Sequence, residues 1–522
     1  MSSLILVLGS AMCSFAFGMW LLVPARPVPD AVPSVALAVP EVEPFVGPPP
    51  QDAATVELVE VKVPRELRGL WVATVSNLDF PTRTGLSATA LRRELSTLVD
   101  GADKLGFNAL VFQVRPEGDA LYASKLEPWS RFLTGKQGRA PGIDPLEVLI
   151  ELAHARGIEV HAWFNPYRAQ SARGAPVADN HVSKWAKPYT RPWGKVLWLD
   201  PGAPPIQDHA LAVVTDVLTR YDIDGVHLDD YFYPYPEGGR AFDDDASYKD
   251  YKQSGGVLAR DEWRRGNVNS LVERIADTVH TKRPDVRFGI SPFGIYRPGT
   301  PRGIRGMDQV AQLHADPLKW FGEGWVDYLA PQLYWPTTAK QQAYGTLLGW
   351  WDGQVDAERP LIVGLDLTKA GKDPKWTIAE LRTQVELERA AANPGGQIWF
   401  RASQALANQG GVGDLLAELY RRPALPPPLP RLKEPPPPPT VAVDGHDLVL
   451  TVAEPKALRA VVLYKRTRSS GWEVQQVLGP ATDRVAIATG TWAVSAVARS
   501  GAESQGVQVV VTDDAADGLA EP

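Results

Sequence analysis

The sequence predicts a (β/α)8 barrel followed by a small all-β sandwich. Between residues 65 and 421, eight short apolar strands alternate with amphipathic helical stretches, which is typical of a parallel sheet. Proline-rich segments precede and follow this region, and residues 441–513 then alternate apolar and polar residues over several short strands. A doubly wound open sheet has similar units, but a count of eight favours a closed barrel.

The N-terminal segment lies outside any predicted core. Residues 4–23 are apolar, no charged side chain precedes Arg26, and the run is long enough to span a bilayer. We therefore expect residues 1–25 to be a signal peptide or a membrane anchor, with lipidation at Cys13 as a third interpretation. All three engage the membrane and export the chain to the periplasm or cell envelope. Residues 26–64 are predicted to be a Pro-rich linker.

Local signals support the strand–helix alternation of residues 65–421. Asp144-Pro145 is typical of an N-cap followed by proline at the first helical position. Gly157 is typical of the residue that ends a helix. In such barrels the functional residues lie at the C-terminal ends of the strands, so candidate site residues are sought there. The predicted strands cover residues 67–75, 108–115, 159–166, 225–231, 287–294, 328–335, 360–367 and 396–403.

Three further segments follow the predicted barrel. Residues 422–440 contain a proline run and are expected to form a stiff polyproline II spacer. Residues 441–513 are predicted to form a β-sandwich, in which TWAVSAVARSGAESQ is similar to the penultimate strand and turn of a fibronectin type III-like domain. Residues 514–522 are predicted to be a disordered tail.

Composition narrows the classes of function. The formal net charge is −7 and no Lys/Arg run stands out, which argues against a nucleic-acid partner. Cys13 is the only cysteine, so the predicted domains have no disulfide and no Cys-based metal site. No His/Asp/Glu spacing calls for a metal, no glycine-rich phosphate loop is present, and no cofactor is expected. The 17 Trp residues suit sugar-binding clefts as well as core packing.

Six motifs occur in order along the predicted barrel. They are RGLWVATVSNLDFP (68–81), FNALVFQVRPEGDALYASKLEPWSRFLTG (107–135), PGIDPLEVLIELAHARGIEVHAWFNPYR (141–168), DGVHLDDYFYP (224–234), GISPFGIYRP (289–298) and LAPQLYW (329–335). Together they resemble the bacterial glycosyl hydrolase-like 10 family of envelope glycosidases. The resemblance spans residues 65–405 and implies a (β/α)8 fold and a glycosidase that acts on cell-wall or related glycans, including peptidoglycan strands stripped of their peptides. It does not settle the mechanism.

Acidic residues after the fourth strand are the first candidates for catalysis. Glycoside hydrolysis usually needs one carboxyl group that protonates the leaving oxygen and another that attacks or activates water. Alternation along the strand places His227, Asp229 and Tyr231 on one face, with Asp230 facing away unless the strand has ended. Two neighbouring carboxyls could raise each other's pKa, as a general acid requires.

The sequence does not decide which residue is the second catalytic carboxylate, or which class of glycosidase motif the fourth strand carries. Glu117 and Asp119 follow the second strand, and Asp366 ends the seventh. Arg115 is expected to keep Glu117 ionised, which suits an acid less well. DGVHLD is similar to the fourth-strand motif of alpha-amylase-like barrels, in which the Asp that matches Asp229 is the nucleophile. It is also similar to the chitinase-like motif, but Tyr231 occupies the position of the catalytic Glu, which puts a substrate-assisted mechanism in doubt.

We therefore predict a hydrolase of a cell-envelope glycan, with peptidoglycan strands as the leading substrate and Asp229, Asp230 and Glu117 as catalytic residues. A non-catalytic glycan-binding protein and an alpha-glucan-type hydrolase are the alternatives. Aromatic, amide and charged side chains at the strand ends are expected to bind the substrate. These are Asn77, Arg115, His161, Asn165, Tyr167, Arg168, His227, Tyr231, Arg297, Gln332, Tyr334, Trp335 and Asp366.

Overall fold

The structure, a computed structural model, describes residues 57–61, 65–467 and 471–512. The predicted signal or anchor segment 1–25, most of the linker 26–64 and the tail 514–522 lie outside the described residues. Among the helices that the structure describes, none combines the length and the hydropathy needed to span a bilayer.

Eight parallel strands with surrounding helices form a nearly closed barrel, which confirms the predicted (β/α)8 part of the fold. The strands are β1 Leu67–Val72, β2 Ala109–Arg115, β3 Glu159–Phe164, β4 Gly225–Leu228, β5 Arg287–Ile290, β6 Tyr328–Leu329, β7 Leu361–Asp366 and β8 Pro394–Phe400. Hydrogen-bonded neighbours follow the order β6-β5-β4-β3-β2-β1-β8-β7. Just beyond β6, the Gly364 N–H of β7 donates to Pro331 O at 2.9 Å, and the Leu333 N–H donates to Gly364 O at 2.9 Å.

Helices cover the outside of the barrel. The predicted N-cap at Asp144 is present, because its carboxylate accepts from the N–H groups of Leu146 at 3.0 Å and Glu147 at 3.2 Å. The α-helices are Ala88–Lys104, Arg131–Thr134, Pro145–His154, Val182–Trp185, Pro204–Arg220, Asp245–Gln253, Arg260–Lys282, Gln309–Gln312, Pro317–Gly322, Tyr344–Asp352, Ile378–Arg389, Ala402–Leu406 and Val412–Leu419. Short 3-10 turns cover Val75–Asn77, Lys187–Tyr189, Gln409–Gly411 and Pro455–Ala457.

Strand alternation sorts the barrel core into two layers. Outward residues such as Leu70, Val72 and Leu228 pack with the helices in one large apolar cluster. Inward residues such as Trp71 and Trp163 form a separate cluster in the lumen. Since His227 lies between Val226 and Leu228 of β4, the same alternation turns it inward.

Antiparallel sheets occupy the region predicted to be a β-sandwich. A five-stranded sheet has the order Glu57–Val59, Gly506–Val511, Gly490–Ala498, Leu458–Thr467, Gly471–Leu478. A three-stranded sheet has the order Thr440–Asp444, Asp447–Thr451, Arg484–Ala486, and its Leu448 and Leu450 pack against Val461 and Leu463 of the larger sheet. The fibronectin type III-like assignment stays a prediction. A further antiparallel sheet of Arg168–Gln170, Val196–Leu199 and Thr190–Trp193 follows β3.

Parts of both predicted linkers belong to the folded structure. Glu57–Val59, inside the predicted linker 26–64, pairs antiparallel with the edge strand Gly506–Val511. In residues 422–440, Leu425 and Leu429 are buried, and the Glu66 N–H donates to Leu425 O at 2.9 Å. Part of the segment predicted to be a stiff polyproline II spacer, 422–440, therefore packs against its neighbours through apolar side chains and backbone groups.

Candidate active site

A cavity of about 250 Å³ opens at the C-terminal ends of the barrel strands. This is the end at which barrels of this class carry their active sites. Its lining residues are Trp71, Ala73, Val75, Leu78, Gln113, Trp163, Arg168, Asp229, Asp230, Tyr231, Ser291, Gln332, Tyr334 and Phe400. Two larger crevices, of about 650 and about 510 Å³, involve the segment after the barrel and the C-terminal sheets instead, away from these strand ends. The strand-end cavity is therefore the candidate site.

Asp229 follows β4 directly and is 4% exposed. The Trp163 indole N–H donates to Oδ2 at 3.1 Å, and the Tyr231 backbone N–H donates to Oδ1 at 3.3 Å. Burial raises the pKa of Asp229 to about 6, although the Arg168 guanidinium and these donors lower it. Asp229 is consequently an oriented anion at neutral pH.

Asp230 also lines the cavity, because β4 ends at Leu228 and strand alternation no longer applies beyond it. The Tyr235 hydroxyl donates to its Oδ2, and the Gln332 side chain is a second hydrogen-bond partner. Burial, followed by the negative charge of Asp229, raises the pKa of Asp230 to about 7. A carboxyl whose pKa is raised by burial and by a neighbouring negative charge is suited to general acid catalysis near neutral pH.

Aromatic rings form much of the remaining wall of the cavity. The Phe400 ring lies edge-on to Trp71, with centroids 6.4 Å apart, and is stacked with Tyr334 at 6.3 Å and 26°. We call Trp71, Tyr334 and Phe400 the aromatic wall. Such faces can stack on the apolar faces of sugar rings.

A directional chain of hydrogen bonds fills the lumen below the cavity, and we call it the lumen chain. The Trp71 indole N–H can only donate, so His227 Nε2 accepts it at 3.3 Å and the His227 Nδ1–H donates to the Tyr328 hydroxyl at 2.9 Å. That hydroxyl donates to His161 Nδ1 at 2.9 Å, and the His161 Nε2–H donates to Glu159 Oε2 at 3.0 Å. Burial, then the neighbouring His161, lowers the pKa of His227 well below its usual range, which agrees with a neutral ring. The lumen chain fixes the Trp71 indole in the aromatic wall.

Comparisons with known proteins identify the family of this chain. The sequence profile of the family described as glycosyl hydrolase-like 10 matches residues 66–378, which is more than half of the chain. The protein belongs to this family. Glycosyl hydrolase YngK of Bacillus subtilis (strain 168) is 39% identical over 384 residues, covering 70% of this chain and 74% of the relative. Glycosyl hydrolase DigH of Escherichia coli (strain K12) is 36% identical over 366 residues, covering 64% of this chain and 82% of the relative.

Solved structures of glycoside hydrolases are also similar to this chain. The glycoside hydrolase domain of PgaB from Bordetella bronchiseptica aligns with a TM-score of 0.45 and 15% identity, over 68% of this chain and 98% of that domain. The catalytic domain of beta-amylase from Paenibacillus polymyxa aligns with a TM-score of 0.46 and 12% identity, over 69% of this chain and 98% of that domain. The family assignment makes the protein a glycosidase, as the sequence motifs predicted.

The cavity of this glycosyl hydrolase-like 10 protein brings together one part of the predicted site. Asp229, Asp230, Arg168, Tyr231, Gln332 and Tyr334 line it. Asn165 supports it from behind, because its side-chain amide lies 3.5 Å from Asp229 Oδ1. His161 and His227, predicted to contact substrate, lie in the lumen chain beneath the cavity. Their contacts with cavity-lining residues are those of His227 Nε2, which lies 3.3 Å from Trp71 Nε1 and 3.1 Å from the Ser291 hydroxyl oxygen.

The predicted catalytic role of Glu117 is not supported by its position. Glu117 is buried outside the cavity, where the Arg131 guanidinium donates to Oε1 at 3.0 Å and the Ser171 N–H donates to Oε2 at 2.6 Å. Arg115, expected to hold Glu117, instead donates to both oxygens of Glu127 at 2.8 and 2.5 Å. Both acidic groups are therefore structural, since charged partners and backbone donors satisfy them.

The other predicted substrate-binding residues do not line the cavity. The Asn77 side chain donates to the carbonyls of Pro81 and Phe132 at 2.9 and 2.8 Å, and holds its loop. Tyr167 is buried in the core. Arg297 lies near Asp308 at 3.7 Å, Trp335 packs edge-on against Phe293 with centroids 5.6 Å apart, and Asp366 accepts from the Thr368 N–H at 2.8 Å.

Several lining residues were missed by sequence reasoning. Trp71, Gln113, Trp163 and Phe400 belong to β1, β2, β3 and β8 and lie near the C-terminal ends of those strands. The alternation from which Asp229 was predicted to face inward, applied to β1 and β3, also turns Trp71 and Trp163 inward, so the signal was present in the sequence. Within the described part of the chain, no group of three or more His, Cys, Asp or Glu side chains could hold a metal ion.

Proposed function

We propose that the protein is exported and hydrolyses a cell-envelope glycan, peptidoglycan glycan strands in particular, by acid–base chemistry of Asp229 and Asp230. The observation that carries the proposal is a pair of adjacent buried carboxyls, both with a raised pKa, in a strand-end cavity with an aromatic wall. The names of YngK and DigH say that both relatives are glycosyl hydrolases. Export rests on the apolar N-terminal run of the sequence.

In this proposal the two carboxyls have separate roles. Asp230, with the higher pKa, donates a proton to the oxygen of the leaving sugar. Asp229 keeps its charge at neutral pH and stabilises positive charge that develops at the reacting carbon. The cavity is somewhat smaller than pockets for drug-sized ligands, roughly 300–1,000 Å³, which fits one enclosed sugar ring with the rest of the glycan outside.

The C-terminal sheets are proposed to form a fibronectin type III-like domain without catalytic function. The supporting observation is their topology, a three-stranded and a larger antiparallel sheet that share an apolar cluster. This domain is expected to support the barrel or bind glycan.

An assay of the full chain on several glycans tests the proposal. We expect soluble products from peptide-stripped peptidoglycan strands, and a loss of about 10²–10⁴-fold in kcat for Asp230→Asn. Asp277→Asn is the matched control, because Asp277 is exposed on the outer helix Arg260–Lys282. Binding without product in the wild type would favour a non-catalytic glycan-binding protein, and product from starch-type glucans alone would favour an alpha-glucan hydrolase.

A further inference from the structure

Both carboxyls of the cavity come from one wall. Asp229 and Asp230 are consecutive residues at the end of β4, and no other carboxylate among the described residues lines the cavity. In a double displacement with an enzyme nucleophile, two carboxyls flank the scissile bond so that one attacks while the other protonates the leaving oxygen. Neighbouring residues of one strand end are poorly placed to flank a sugar that occupies the cavity.

Other acidic groups near the mouth are already engaged and cannot fill the opposite side. Asp79 accepts from the Ala73 and Ser403 N–H groups, each at 2.8 Å, and pairs with Arg401 at 2.8 Å. Asp366 accepts from the Thr368 N–H at 2.8 Å and from its hydroxyl at 2.6 Å. What lies there instead is the aromatic wall, which has no nucleophile for the anomeric carbon.

We infer that the substrate supplies its own nucleophile, a 2-acetamido group, and that the enzyme cleaves glycosidic bonds of 2-acetamido-2-deoxy sugars by substrate-assisted catalysis. This inference rests on the proposed function and extends it to the reacting group. It also resolves the doubt raised by Tyr231, which occupies the position of the catalytic Glu in the chitinase-like motif. The acid is Asp230, one residue earlier, which β4 exposes to the cavity by ending at Leu228.

The two carboxyls of the cavity are sufficient for every proton transfer of this hydrolysis. The acetamido carbonyl oxygen bonds to C1 as the bond between C1 and the leaving oxygen breaks, and Asp230 transfers its proton to that oxygen. The acetamido N–H donates to the Asp229 carboxylate, which stabilises the cationic five-membered ring. Asp230, now ionised, takes a proton from water as the water oxygen attacks C1. The bond between C1 and the acetamido oxygen then breaks, which restores the acetamido group and retains the anomeric configuration.

The surroundings of Asp229 fit this role. Trp163 and the Tyr231 N–H orient its oxygens from the protein side at 3.1 and 3.3 Å, and the carboxylate still lines the cavity. A carboxylate has about four lone-pair sites, so it can also accept the acetamido N–H. The aromatic wall offers an apolar surface for the acetamido methyl group.

The experiment compares peptide-stripped strands that are native, de-N-acetylated, re-N-acetylated or re-N-trifluoroacetylated. Fluorine withdraws electrons from the carbonyl oxygen while changing its size little, so we expect kcat to fall by more than about tenfold on the trifluoroacetyl strands. De-N-acetylated strands should resist cleavage, and re-N-acetylation should restore it. A thiazoline analogue of the bicyclic intermediate should inhibit competitively, and nuclear magnetic resonance should show a retained anomer. Asp277→Asn should behave like the wild type throughout.

Equal kcat on acetyl and trifluoroacetyl strands, an inverted product, or a glycosyl adduct on Asp229 in mass spectrometry would overturn the inference and leave the proposed function standing. A wild type that cleaves none of the native strands would instead overturn the proposed function, and the inference with it.

Discussion

Replacing Asp230 by Asn should stabilise the protein at pH 8 while abolishing most of its activity. Burial and the charge of Asp229 raise the pKa of Asp230 from the ordinary 3.8 to about 7, so the folded state holds the proton more tightly than the unfolded chain. A difference of one in pKa is worth about 1.4 kcal/mol, so the penalty of the buried charge is about 4 kcal/mol above pH 7.

The sign follows from proton linkage. Because the pKa is raised on folding, the stability that the proton provides is complete below about pH 4 and is lost as the pH rises through about 7. Asp230→Asn keeps the shape and removes the charge, and the Tyr235 hydroxyl can turn to suit the amide. The gain in free energy of unfolding should therefore approach about 4 kcal/mol at pH 8 and vanish near pH 4.

Urea and thermal unfolding of the full chain at pH 4, 6 and 8 measure this gain. The exposed Asp277→Asn variant is the control and should show no gain that depends on pH. A gain of the same size at pH 4 and pH 8, or destabilisation at both, would refute the assignment of the penalty to a buried charge.

Three further outcomes are expected. Since catalysis needs Asp229 charged and Asp230 protonated, kcat should be largest between about pH 6 and about pH 7, and a pH profile that is flat from 5 to 8 would contradict these roles. Tyr328→Phe breaks the lumen chain and leaves buried histidine nitrogens without the hydroxyl partner, so it should lower the free energy of unfolding by about 1–3 kcal/mol and raise KM by releasing Trp71. Unfolding experiments measure the loss of stability and steady-state kinetics measure KM. An unchanged KM would count against the positioning role of the chain. Glu117→Gln should retain kcat within about twofold while lowering stability, because Glu117 pairs with Arg131 outside the cavity. A loss of kcat near that of Asp230→Asn would restore Glu117 as a catalytic residue.

Much of the barrel and part of the candidate site could be predicted from sequence periodicity. Strand alternation and the rule that functional residues follow the strands were sufficient to identify Asp229, Tyr231, Gln332 and Tyr334. They could not show that Asp230 faces the same cavity, because that depends on β4 ending after only four residues. Where a strand ends depends on its packing against neighbouring strands as well as on its own residues.

The sequence could not show which side chains form ion pairs and hydrogen bonds across the fold. Arg115 and Glu117 are two residues apart, which suggested an ion pair, but Arg115 pairs with Glu127 and Glu117 with Arg131. The lumen chain likewise joins side chains of β1, β3, β4 and β6, whose separation in space depends on barrel closure. His161 and His227 were predicted to bind substrate, but both are fully buried in the lumen.

The C-terminal sheets also bear on the active site, through the strand that carries it. Asp224 directly precedes β4, and its carboxylate accepts from the Val160 N–H at 2.7 Å and pairs with the buried Arg459 of the five-stranded sheet. At the other end of β4, Trp163 holds Asp229. With only four residues between these anchors, a shift of Asp224 has little chain in which to relax before it reaches the catalytic pair. Removing Arg459 would leave the Asp224 charge buried with one partner fewer, so the sheets stabilise the position of β4.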